Sequence, residues 1–299
     1  MTAPAPVPPA LLEFQTTLRV PEGDESPVAL FRSFDDYING GAPEVARVVE
    51  GVAIRQSGGW RLGADVHVPF GEPPFPTVVH LHGGGWVMGS PWTHRRVSAE
   101  LASRGLLVAS IDYRRAPKHR FPGAVDDVAA ALDWARGHAA ELGGDPDRLI
   151  VSGDSAGANL AAVALATGAG DGVRAALLFY GIYDYHRALP TLSGLLGGED
   201  AASQLYLPPD EFELLRGDPR CAPERQVQGF PPTLLSVGGL DPLRPESESM
   251  AARLAVAGVP HELHVAQGVP HAFLQLPSLP AHDEGFDVAA AFLRRHGLL

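Results

Sequence analysis

The sequence predicts an α/β protein with a mainly parallel central sheet, helices on both faces and an inserted helical segment. Three observations predict it. Short apolar runs alternate with longer helix-like stretches, the rhythm of strand and helix in succession. The runs carry apolar residues in succession rather than in strict alternation with polar ones, as expected for strands covered on both faces. Residues 182–231 form an interval too long for an ordinary connection, and they read as an insertion over the ligand-binding edge of the sheet.

The elements follow in order. After a proline-rich start, residues 11–45 mix apolar side chains such as Leu11, Phe31 and Tyr37 with charge, and short helices are expected before INGGAP closes the segment. VARVVEGVAI and WRLGADVHVPF, separated by QSGG, predict a hairpin and therefore an antiparallel edge. Strands are then predicted at 76–82, 106–113, 148–153, 174–181, 232–239 and 261–268. Helices are expected between and after them, at 92–104, 124–142, 156–168, 245–258 and 284–297.

Composition excludes several kinds of protein. The chain has 299 residues, 45% of them hydrophobic, enough for one large core. Its net charge is −12 and it contains no run of lysine or arginine, so nucleic acid is not an expected partner. Cys221 is the only cysteine, which excludes an internal disulfide and a cysteine-based metal cluster and suits a reducing cytoplasm. The N-terminus lacks the basic and apolar regions of a secretory signal, and no apolar run is long enough to span a bilayer. A soluble cytoplasmic protein is expected, with homodimerisation left open.

In open α/β sheets ligands sit beyond the carboxyl ends of the strands, and four such ends carry chemistry. The run 148–153 leads into Gly153-Asp-Ser155-Ala-Gly157, a G-x-S-x-G turn that would expose the Ser155 hydroxyl between strand and helix. A serine hydroxyl is a weak nucleophile and needs a base to take its proton and a third group to orient that base. His271, in the loop QGVPHAF after the last strand, is the expected base, because His261 and His264 fall within a strand and His282 and His296 near the final helix. Asp241 in VGGLDPLRPE is the expected orienting acid. Asp184 reads better as a helix cap and Glu246 as a first-turn residue. The glycines of HLHGGGWVMG fit neither a Walker loop nor a dinucleotide fingerprint. They let main-chain N–H groups approach one oxygen, so Gly83, Gly84 and the N–H of Ala156 are the expected oxyanion hole, with His82 and Gly85 supporting the loop.

These motifs together resemble the hormone-sensitive-lipase-like (bacterial family IV) esterases of the α/β-hydrolase fold. The matching stretches are HGGGW at 82–86, DYRRAPKHRFPGAVDD at 112–127, GDSAGANLA at 153–161, DPLRPE at 241–246 and PHAF at 270–273. The resemblance implies the triad and oxyanion glycines named above, with no metal or cofactor. It also implies a core of residues 46–181 and 232–299 under a helical cap of residues 1–45 and 182–231. The expected activity is hydrolysis of short to medium acyl-chain carboxylic esters, with Trp86, Phe34 and Leu207 as candidate pocket residues. Departures from the family pattern cluster at 115–120, where Arg115, Lys118 and Arg120 stand in place of leucine, glutamate and proline. Two other readings stay open: an amidase or arylformamidase with the same triad, and a non-catalytic small-molecule receptor on this fold. The presence of His271 weighs against the receptor.

Overall fold

The computed structural model describes residues 35–57, 59–196 and 206–299. Eight strands form one sheet: β1 (Arg47–Ser57), β2 (Trp60–Val68), β3 (Phe75–Leu81), β4 (Leu107–Ile111), β5 (Gly144–Asp154), β6 (Val173–Phe179), β7 (Thr233–Gly238) and β8 (His261–Ala266). Their spatial order is β1-β2-β4-β3-β5-β6-β7-β8. The hairpin β1–β2 is antiparallel and β2 pairs antiparallel with β4, while every later pairing is parallel. The expected α/β-hydrolase architecture and its antiparallel edge are both present.

The longer helices among the described residues are α1 (Arg95–Ser103), α2 (Gly123–His138), α3 (Ala156–Ala166), α4 (Tyr185–Leu196), α5 (Arg244–Val256) and α6 (Pro280–Arg295). Successive strand residues point to opposite faces, so each central strand feeds two cores. Val79, Val151, Leu178 and Leu235 join the core that includes residues of α2, α3 and α5. Their neighbours Val78, Ile150, Leu177 and Leu234 join the one that includes residues of α1 and α6. This split explains why the central runs carry apolar residues on both faces rather than in strict alternation. The strands expected at 76–82 and 232–239 lie within a residue of their predicted bounds.

Two buried acids tie outlying segments to this frame. Asp127 of α2, fully buried, accepts from the Arg55 guanidinium of the edge strand at 2.8 Å and from the Arg114 main-chain N–H at 2.9 Å. Glu246 of α5 accepts from the N–H groups of Tyr183 and Asp184, both at 2.9 Å, and from Arg187 Nε at 2.6 Å. Arg187 also clasps buried Glu224 through two N–H groups, at 2.6 and 2.8 Å. Its pKa is raised, by Glu224 first and Glu246 next, against the opposing effect of burial. The first turn of α4 is thereby fastened to the core. Among the described residues no helix is long and apolar enough to cross a membrane.

Replacing Arg187 by alanine is expected to cost about 2 to 3 kcal/mol, because Glu224 and Glu246 would be left buried without a countercharge. The figure is below that for a fully buried pair, since the Arg187 side chain is 40% exposed. Arg187→Lys should recover only part of the loss, as an ammonium cannot span both carboxylates with a planar fork. Thermal unfolding of the three proteins checks the order.

Candidate active site

Ser155 sits between β5 and α3 with φ 53 and ψ −116, outside the region that a serine ordinarily occupies. Such a conformation persists only where its surroundings hold it. The Ser155 N–H donates to Phe179 O at 2.9 Å, and the first turn of α3 packs directly on the end of β3. A Cβ at Gly157 would collide with the Leu81 carbonyl oxygen, so only glycine permits this approach. The G-x-S-x-G letters are therefore a packing requirement here as well as a turn.

The expected partners converge on the serine. His271 Nε2 lies 3.0 Å from Ser155 Oγ, and His271 Nδ1 lies 2.7 Å from Asp241 Oδ2. With Asp241 ionised, Nδ1 carries the proton and donates, leaving Nε2 to accept from the hydroxyl. The other Asp241 oxygen accepts the Leu243 N–H at 2.7 Å, which fixes the carboxylate. The two loops are joined through main-chain bonds, Leu240 N–H to Val269 O at 3.0 Å and Gly239 N–H to Ala266 O at 2.7 Å. Tyr180 sets its ring edge-on to the imidazole, with centroids 5.0 Å apart. Burial first, then Asp154 and Asp241, push the Tyr180 phenol well above its ordinary pKa, so it does not compete for the proton. Neither rival acid reaches His271: Asp184 Oδ1 accepts the Arg187 N–H at the start of α4, and Glu246 serves the same helix from below.

The glycine loop requires a correction. Gly83 was expected to offer its N–H to an oxyanion, but that N–H donates to Asp154 Oδ1 at 3.0 Å. The N–H groups of Gly84 and Gly85 have no partner among the described residues, and neither does that of Ala156 at the N-terminus of α3. Gly85, expected only as loop support, is therefore a free donor. Asp154 is fully buried, faced by His80 Nε2 and His94 Nε2 at 3.6 Å each. Burial alone would raise its pKa, but His94 and His80 outweigh that effect and hold the carboxyl well below its ordinary range.

His82 braces the loop as expected. Its Nδ1 contacts Gly83 O at 2.8 Å, its ring stacks on Tyr113 at 4.2 Å, and Tyr113 OH donates to His82 O at 2.7 Å. Burial, with His94 next, drives the His82 pKa well below 6.5, so the ring is neutral and donates to Gly83. The candidate pocket residues divide differently. Trp86 is 1% exposed and Leu207 fully buried, so neither offers surface to a cavity, and Phe34 lies outside the described residues. Trp86 is instead stacked on Tyr206, a contact that spacing could not reveal because 120 positions separate the two. Cys221 is buried away from this chemistry, its thiol pushed up to about 12 chiefly by desolvation.

Fold and site together define a protein of the hydrolase class. A model of the alpha/beta hydrolase fold matches residues 78–275, and the chain belongs to that family, in the hormone-sensitive-lipase-like branch that its motifs resemble. Carboxylesterase NlhH of Mycobacterium tuberculosis is 35% identical over 234 residues, which is 74% of this chain and 73% of NlhH. Esterase LipI of the same species is 34% identical over 67% of this chain, and the match spans 66% of LipI. The solved structure of a hyperthermophilic esterase from the archaeon Pyrobaculum calidifontis has a TM-score of 0.82 at 29% identity, covering 98% of this chain and 100% of that one.

Two outcomes are expected. Asp154→Ala frees the Gly83 N–H to turn toward the site and should lower turnover about tenfold or more, with ester KM nearly unchanged. Steady-state kinetics measure the split. For His82, the folded pKa lies below the unfolded value of 6.5, so the unfolded chain binds the extra proton first. Its contribution is full above pH 6.5 and is lost as pH falls from there toward the folded pKa. A His82→Gln variant should therefore lose less stability than the parent between about pH 6.5 and about 5, as read by unfolding midpoints.

Proposed function

We propose that this chain is a serine carboxylesterase acting on carboxylic esters of short to medium acyl length. The observation that carries the reading is the unbroken relay Ser155 Oγ, His271, Asp241 at 3.0 and 2.7 Å beside three main-chain N–H groups without a partner among the described residues. The names of the relatives point the same way. In this reading residues 46–181 and 232–299 are the catalytic core, and residues 1–45 and 182–231 are the cap that selects the acyl group.

In the first step Ser155 Oγ bonds to the ester carbonyl carbon while its proton passes to His271 Nε2. Asp241 steadies the resulting imidazolium, and the carbonyl electrons collect on an oxygen held by the Gly84, Gly85 and Ala156 amides. The positive end of α3 adds to that field. The intermediate collapses with cleavage of the bond to the alcohol oxygen, which takes the proton from His271 and leaves. Water then attacks the acyl-enzyme carbonyl, giving its proton to His271, and the second collapse releases the carboxylic acid and returns the proton to Ser155.

Purified protein should cleave p-nitrophenyl butyrate and react with a fluorophosphonate at Ser155. Ser155→Ala should reduce kcat by about 10³-fold or more. An acyl series from acetate to laurate locates the preferred length, and turnover confined to amides would transfer the same machinery to the amidase reading.

A further inference from the structure

Trp86 directly follows the two glycines whose N–H groups are free, and its own backbone is left-handed, with φ 61. A non-glycine residue holds that conformation only where its neighbours enforce it. Two contacts do so. The Trp86 carbonyl accepts the Ala116 N–H at 2.9 Å, and the indole stacks on Tyr206 of the insert, with centroids 4.5 Å apart and planes within 11°.

The loop that carries Ala116 also grips the insert. The Phe121 N–H donates to Tyr206 O at 3.0 Å, and Arg120 donates to Leu207 O at 3.0 Å. From the other side the Arg220 guanidinium lies 5.1 Å above the Phe121 ring. One end of this loop therefore holds the glycine loop, through Ala116 and through Tyr113 OH on His82 O, and the other holds residues 206 and 207. Arg120 stands where the family pattern has proline, which could make no such bond.

We propose that Tyr206 is a positioning residue for the oxyanion loop, acting through Trp86, so that the insert sets the rate of turnover as well as access to Ser155. The inference rests on the esterase reading of Ser155. Removing the Tyr206 ring deletes the stacked, face-to-face support of the indole and leaves only the tilted Tyr185 ring beside it, so Trp86 relaxes toward an ordinary backbone conformation and the Gly85 N–H turns with it. The Tyr206 hydroxyl has no hydrogen-bond partner among the described residues, so the ring and not the phenol carries the effect.

The test compares Tyr206→Leu, Tyr206→Phe and Arg120→Met with the parent enzyme on p-nitrophenyl butyrate. Tyr206→Leu should lower kcat about tenfold or more with KM changed less than about twofold, and Tyr206→Phe should restore kcat. Affinity for a trifluoromethyl ketone, whose adduct mimics the tetrahedral intermediate, should weaken by the same factor as kcat in Tyr206→Leu. A rise in KM with kcat and ketone affinity unchanged overturns the inference and leaves Tyr206 as a wall residue. If Tyr206→Leu does not fold, Arg120→Met keeps the rings and removes one tie, and a fall in kcat of about two- to fivefold is expected. An unchanged kcat in that variant also overturns the inference. An inactive parent would overturn the esterase reading along with it, whereas an active parent with unaltered variants removes this inference alone.

Discussion

The site depends on how closely the ends of β3 and β5 pack. Gly157 lies against the Leu81 carbonyl, and Asp154 reaches across to the Gly83 N–H at 3.0 Å. These two contacts bring the Ser155 turn and the glycine loop into one rigid piece. Parallel neighbours in register, with Leu81 opposite Gly153, make the approach possible. A side chain at 157 would separate the strand ends, and the distance between the Ser155 hydroxyl and the free amides would grow with it.

Much of this was legible in the sequence, because the relevant signals are local. Each central strand is a short apolar run bounded by turn residues, and burial on both faces makes the run unmistakable. Ser155, Asp241 and His271 were legible for a related reason: each follows a strand directly, and topology then gathers strand ends at one edge. What stayed hidden was the direction of individual main-chain groups. Three consecutive glycines look alike as letters, and only the carboxylate of Asp154, 71 positions away, decides that Gly83 is occupied while Gly85 is free. Trp86 was misplaced by the same limit. Its position beside the glycines suggested a pocket wall, but Tyr206 covers its indole.

The insert shows a different kind of dependence. Residues 182–231 read as an insertion from their length alone, whereas their hold on the core runs through charge, Arg187 pairing with Glu246 of α5 while Glu224 ties Arg187 to the far end of the same segment. Glu246 was legible as a first-turn acid of α5, and it is that. Its carboxylate also satisfies two N–H groups at the start of α4, a second task that no local pattern encodes. Tyr180, edge-on to His271, had no sequence signal, since an aromatic residue at a strand end is ordinarily core.

The loops that carry Asp241 and His271 are bound to each other through main-chain atoms, Gly239 to Ala266 and Leu240 to Val269. Main-chain bonds are indifferent to which side chains the loops display. Leu240, whose N–H is one of these anchors while its side chain is half exposed, can therefore change its side chain without moving the aspartate or the histidine. In such an enzyme, selectivity can diversify on the rim while the reaction centre stays in place.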